Sequence, residues 1–355
     1  MSKEKNSKNK YNNEYYASDS KGRLVPVFVM LVLLVLIAIV LNLSIGNVEI
    51  DLKTLAGILF GAGADDKMSS IIMNIRLPRT IMAFLLGGAL AVSGFLLQTF
   101  FSNPIAGPYI LGVSSGAKMM VTVLLIIASG GSFFVRGYML IGAAFAGSLI
   151  TTGFIILISR SVKNMAALLA AGIMIGYICS AITDFLIAFA DDSDIVNLHS
   201  WSQGSFSGSN MNGVIYSFVT VFVTIVLVML MSKSLDAFRL GESYARSVGV
   251  NVRLCRVLII ILSCILSACV TAYAGPISFV GIAVPFLMRE ALRSSKPVVL
   301  IPASFLAGSI FCLISDLLAR MLFAPTELNV SAVTSLFGAP IVIFMIIRRH
   351  RFENQ

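Results

Sequence analysis

The run from Leu24 to Leu43, LVPVFVMLVLLVLIAIVLNL, decides the class of this chain: it is free of charge and long enough to cross about 30 Å of hydrocarbon as an α-helix. The polar, basic stretch 1–23 precedes it. The run is too long for a signal-peptide core and no small-residue cleavage site follows it, so it reads as a retained first span. The same character continues outward. Of the 355 residues 57% are apolar and 12% charged, with a mean hydropathy of +0.93, whereas soluble domains hold roughly 45–50% and about 25%. A soluble enzyme, a disordered chain, collagen and a secreted disulfide scaffold are excluded.

Further apolar blocks lie near 78–100, 110–130, 137–158, 165–189, 213–232, 256–274, 278–290, 298–320 and 331–347. The pattern predicts an all-α polytopic membrane protein with about ten transmembrane helices. Its parts are a basic tail (1–23), a ten-helix domain (24–348) with a long cytoplasmic loop (233–256), and a second tail (349–355). The block 278–290 is too short to cross alone unless it borrows from Gly275 to Ile277 or from Ala291 and Leu292, so it reads as a broken or re-entrant helix. At about 20 residues per span, ten spans use roughly 200 positions and leave about 155 spread over loops and tails, which fits a single polytopic domain with no soluble catalytic module.

Cationic residues orient this chain, since cytoplasmic loops collect Lys and Arg. Six lie before Leu24, and the other cytoplasmic groups are Arg160 with Lys163, then Lys233 to Arg256, then Arg289 to Lys296, then Arg348, Arg349 and Arg351, nineteen in all. The opposite side holds six: Lys53, Lys67, Arg76, Arg79, Arg136 and Arg320, with Lys118 in or near the third span. Both termini are therefore expected in the cytoplasm, and the net charge of +9 serves orientation, not nucleic-acid binding. Cys179, Cys255, Cys264, Cys269 and Cys312 show no ligand spacing, and only His199 and His350 could join them. No metal and no cofactor is expected on this chain.

Several segments carry more than hydropathy. Arg76-Leu77-Pro78-Arg79 opens the second span on its outer side, either snorkelling to lipid phosphates or forming a patch for an acidic external partner. Gly87, Ala91 and Gly94 repeat at helical spacing, which allows close packing or a cavity wall. After Gln98 the stretch from Phe101 to Ala117, with Asn103, Pro104, Ser114 and Ser115, describes irregular backbone at the membrane, tolerated only inside protein or beside water. Ser93, Gly94, Gln98, Asn103, Pro104, Ser114 and Ser115 are accordingly expected along a translocation path, where bulk at Gly94 or Ser115 would block passage but not assembly. From Lys233 to Asn251, Leu235, Phe238 and Leu240, then Tyr244, Ala245 and Val248, give two short amphipathic helices suited to a partner's groove or an anionic lipid surface. Asp316 and Arg320 stand at i and i+4 and are expected to pair. Asp184 is a further ionisable residue in a span.

Taken in order, R-L-P-R at 76–79, G-x-x-L-A-x-S-G at 87–94, N-P-x-A-x-P-x-x-L-G-V-S-S-G-A at 103–117, W-x-x-G-S at 201–205, G-x-x-x-A-x-x-x-G-V at 241–250, G-P-I-S-F-V-G-I-A-V-P at 275–285 and G-A-P at 338–340 resemble the permease family of binding-protein-dependent importers for iron siderophores, haem and vitamin B12. The resemblance implies a ten-span subunit of the cell membrane, a second permease subunit forming a homodimer, two cytoplasmic ATPase subunits that bind ATP and Mg, an external substrate-binding protein, and ferric siderophore as cargo with haem and cobalamin as alternatives. It also implies that Arg76, Arg79 and Arg320 dock the binding protein and that Gly241, Glu242, Ala245, Arg246, Gly249 and Val250 couple to the ATPase. No G-x-x-x-x-G-K-[ST] loop occurs, so this chain is expected not to be an enzyme and to leave nucleotide chemistry to a partner. Two departures stand out: Phe286 where the family commonly has His, and Asn329 and Ser331 where it has Pro and Gly, which predicts a looser outer turn. An ion-coupled secondary transporter would need more membrane carboxylates than Asp184 and Asp316. An intramembrane enzyme would need a catalytic pair or a metal at mid-depth.

Overall fold

In the computed structural model, which describes residues 2–46, 48–59, 66–129, 135–162 and 164–353, the regular structure is helical throughout. Met1, Lys163 and the last two residues of the C-terminal tail lie outside the described residues. The elements are α1 (Ser2–Ser44), α2 (Leu52–Leu59), α3 (Asp66–Ile71), a π-helical turn (Ile72–Arg76), α4 (Leu77–Phe101), a 3₁₀ turn (Pro108–Leu111), α5 (Val113–Ser129), α6 (Gly137–Ser161), α7 (Met165–Ile187), α8 (Asp192–Ser202), α9 (Met211–Leu230), α10 (Ser232–Arg239), α11 (Glu242–Ser247), α12 (Val252–Ala274), α13 (Val280–Leu292), α14 (Pro297–Met321) and α15 (Val330–Glu353).

Among the described residues eight helices are long and apolar enough to cross a membrane, those at α1, α4, α6, α7, α9, α12, α14 and α15. The two remaining sequence blocks fall on α5 and α13, with 17 and 13 residues, about 25 and 20 Å. Neither crosses alone. The middle of α6 lies against the start of α5, where Ser148 Oγ donates to Val113 O at 3.2 Å and Gly147 faces Gly116. The middle of α7 meets the same place, Gly176 facing Gly112 and Ser115. So α5 begins near mid-membrane and fills the outer half, while residues 102–112 climb to it without α-helix. α13 is its counterpart in the cytoplasmic half, starting where Gly281 meets Leu90 and Gly94 at the centre of α4.

α4 is the spine of the bundle, packed by α14, α12, α13 and α9 and enclosed along nearly all its length. Small residues explain how. Gly87 and Gly308 face each other across α4 and α14, Gly88 receives the Phe305 ring, and a Cβ on Gly94 would overlap the backbone of Gly281. In lipid this close approach replaces the hydrophobic drive that packs helices in water. By contrast α1, α7 and α9 leave most of their apolar side chains on the outside, as spans that face hydrocarbon do. The outer turn before α15 is not loose. Leu328 N–H donates to Ala319 O at 2.8 Å, Val330 N–H to Gly204 O at 3.1 Å and Ser331 Oγ to Pro276 O at 2.5 Å. Phe286 is half-buried against a cluster of Ala283, Val342 and Met345.

Candidate functional site

At the outer end, Arg76, Arg79 and Arg320 come together with Asn42, Asp316 and Glu327. Arg76 caps α1: its Nη1 donates to Leu43 O at 2.6 Å and Ser44 O at 2.9 Å, and its Nη2 to Val48 O. It thereby serves carbonyls that have no helical partner. Arg79 places Nε at 3.0 and 3.1 Å from the two oxygens of Asp316 and Nη2 at 2.9 Å from Oδ1, while its Nη1 donates to both oxygens of Glu327 at 3.2 Å. Asp316 is fully buried and the Glu327 side chain 44% exposed. Arg320 donates from Nη2 to Asn42 Oδ1 at 2.6 Å, and its Nε makes a charge contact with Asp316 Oδ2 at 3.3 Å, outside hydrogen-bonding geometry. Asn42 in turn donates to Ala38 O and Leu313 O.

The expected Asp316–Arg320 pair is therefore present, but the stronger partner of Asp316 is Arg79. The three arginines do not form an open patch. Each is at most 8% exposed, because their guanidinium groups fasten α1, α4 and α14 and the turn before α15 to one another. Asn42 and Glu327 escaped the sequence reading as members of this group. Glu327 could have been found, since a carboxylate among outer arginines is a natural counter-ion. Asn42 is a single polar residue in the apolar run Leu24 to Leu43.

Along α4 the expected path residues divide. Ser93 is fully buried and trades bonds with α12: its Oγ donates to Ser263 O at 2.8 Å and Ser263 Oγ to Ser93 O at 3.0 Å. Gly94 is filled by Gly281. Gln98, 2% exposed, donates from Nε2 to Ile282 O at 3.0 Å and to Gly281 O at 3.4 Å. The reason is local. In α13 the carbonyl of Gly281 would bond the N–H of residue 285, and that residue is Pro285, which has none. Gln98 reaches that carbonyl at 3.4 Å while making its shorter bond to the next one, Ile282 O. These three residues thus bind helices together inside the subunit. Asn103, Pro104, Ser114 and Ser115 remain partly exposed. Asn103 Oδ1 accepts from Ile105 N–H at 3.1 Å and turns the chain back into the membrane.

At the cytoplasmic end α10 and α11 form a two-helix projection. Leu235 is fully buried, Phe238 nearly so, and the Phe238 ring stacks on Phe100 at the end of α4, with centroids 6.1 Å apart and planes 7° from parallel. Ala245 is also fully buried and Glu242 pairs with Arg256 of α12. Gly241 and Gly249 have φ of 111° and 85°, a region that side chains avoid. Val250 N–H donates to Ala245 O at 2.9 Å and closes α11. Ala245 and Glu242 thus brace the projection from within the chain. Arg246 is exposed, together with the apolar side chains of Leu240, Tyr244 and Val248.

Residues 33–348 match the FecCD transport family. The chain belongs to that family. This FecCD chain is 34% identical over 331 residues to the hemin transport system permease protein HmuU of Yersinia pestis, covering 92% of the chain and 98% of the relative. It is 32% identical over 339 residues to the vitamin B12 import system permease protein BtuC of Salmonella typhi, covering 95% and 99%. A solved metal-chelate type ABC transporter in an inward-facing conformation has the same fold, with a TM-score of 0.80 and 29% identity over 91% of this chain and 98% of that one. Like these permeases, the FecCD chain is an all-α, multi-pass membrane protein.

Proposed function

We propose that this chain is the permease subunit of an ATP-driven importer, working as a pair with a second copy, with two cytoplasmic ATPase subunits and an external binding protein, and that its cargo is a ferric siderophore. The observation that carries the reading is the cytoplasmic projection. It presents Leu240, Tyr244 and Val248 outward while being fixed to the spine through Phe238 on Phe100 and to α12 through Glu242 and Arg256. A partner that grips these side chains differently before and after ATP hydrolysis biases the whole bundle between two states, the requirement for a driven conformational change. No covalent chemistry is asked of this chain.

Outside, docking falls on the rim around Arg79. Its bond to Asp316 is buried, and its bond to the part-exposed Glu327 is the one that a carboxylate of a binding protein replaces. Arg76 and Arg320 support it from behind. Haem is the second reading of the cargo, favoured by the relationship to the hemin permease.

The test is accumulation of radioactive iron chelate by vesicles containing the chain with its ATPase and binding protein. Uptake that needs MgATP and both partners is expected. Uphill uptake by the chain alone, collapsing with an ion gradient, refutes the reading and favours a secondary transporter. For the rim, Glu327→Gln is expected to tighten binding-protein docking and Arg79→Glu to abolish it. Unchanged docking in both variants would leave the arginines as fasteners only.

A further inference from the structure

Lys118 is a cation in a place where lipid does not tolerate one. Its depth follows from three neighbours: Gly116, two residues before it, faces Gly147 and Thr151 in the middle of α6; Ser115 faces Gly176 in the middle of α7; and Val113 O accepts from Ser148. Lys118 thus lies about 5 Å outward of the membrane centre, with about 10 Å of hydrocarbon still between it and the outer headgroups. Its stem, reaching about 6 Å, does not span that distance by snorkelling. Among the described residues no carboxylate pairs with it. Asp184, on α7, lies about 12 Å outward of Gly176 and is bonded to nothing described.

A lone charge at this depth faces a water-filled cavity or a functional partner. Ser114 and Ser115, at i−4 and i−3, share its face and are partly exposed, as Lys118 itself is. We propose that this face of α5 lines a wet part of the translocation path and that Lys118 makes it attractive to an anionic metal chelate, one whose metal-binding oxygens leave net negative charge. The proposal rests on the permease reading and adds a charge preference to it.

The test needs no knowledge of the cargo. All five native cysteines are buried, so Ser115→Cys offers a distinct thiol beside Lys118. It is probed in native cell membranes, with the partner subunits in place, by methanethiosulfonate reagents carrying either a sulfonate or a trimethylammonium group. A unit charge about 6 Å away in water raises the anion's local concentration about threefold and lowers the cation's equally. The ratio of anionic to cationic labelling rates is therefore expected to fall about tenfold when Lys118→Gln is added, and to persist with Lys118→Arg. No labelling of Ser115→Cys by either reagent, or a ratio indifferent to Lys118→Gln, overturns the proposal. MgATP-driven uptake by the unmodified complex is measured beside it, so failure of the permease reading is seen separately.

Discussion

Replacing Asp316 by Asn tests whether the outer arginines are fasteners first. Asp316 has no exposure and lies against two guanidinium groups, Arg79 at 2.9 Å and Arg320 at 3.3 Å. Asn keeps the shape and an acceptor oxygen but removes the negative charge, leaving two buried cations with only Glu327 near. Removing one partner of a buried pair costs about 3–5 kcal/mol. Glu327→Gln should cost under about 1 kcal/mol, since that carboxylate is 44% exposed and exposed pairs contribute little. The assay is unfolding in mixed micelles titrated with SDS, followed by helical circular dichroism for the native chain, each single variant and the pair Asp316→Asn with Arg79→Gln. The pair should be less damaged than the sum of its parts by about 0.5–3 kcal/mol, because one orphaned cation is gone. Equal losses for Asp316→Asn and Glu327→Gln, or strict additivity of the pair, would refute the fastening account.

Gln98→Leu should cost about 1–3 kcal/mol, the penalty of an unmet buried carbonyl, and under about 1 kcal/mol in a Pro285→Ala background, where the backbone N–H returns; SDS titration of the four chains checks it. Gly94→Ala should lose at least about 3 kcal/mol and most of the folded yield, because a Cβ there meets the Gly281 backbone, which cannot move aside as a side chain does. Gly137→Ala, with open space around it, is the control, and size-exclusion of the folded fraction is the measure. Tyr244→Ala, at an exposed position, should leave stability within about 0.5 kcal/mol yet lower uptake per ATP hydrolysed, whereas Ala245→Leu should lower folded yield itself.

Much of the fold was legible because lipid imposes a length. Ten apolar blocks fell on ten helices, and the doubt over 278–290 was well placed: α13 is a half-membrane helix. The second half-membrane helix was hidden, since the block 110–130 is apolar across its length and composition does not record that its first residues climb as a 3₁₀ turn and loop. The site was less legible. Ser93, Gly94 and Gln98 are polar or small, and periodicity alone does not separate a cavity wall from a tight crossing. The decision rests on partners far along the chain: Ser263 for Ser93, Gly281 for Gly94, and the carbonyl that Pro285 strands for Gln98. Only that last partner had a local signature, a proline in a helix, and it pointed to a missing donor without saying which helix would supply it.

Charge at membrane depth sorts the remaining residues by a single criterion. Arg79, Asp316 and Arg320 are buried and paired with one another, so their cost is offset within the subunit and they need no ligand to explain them. Lys118 has no such offset. The same hydrocarbon that makes a paired charge a fastener makes an unpaired one untenable unless water reaches it. If α5 faced lipid, Lys118 would be a defect that replacement by Met relieves, and Lys118→Met would raise stability by about 2–3 kcal/mol on the membrane-insertion scale. If α5 faces water, the same replacement is close to neutral for stability and changes only what the path attracts. An SDS titration of Lys118→Met therefore distinguishes a tolerated defect from a wet wall without any assay of transport.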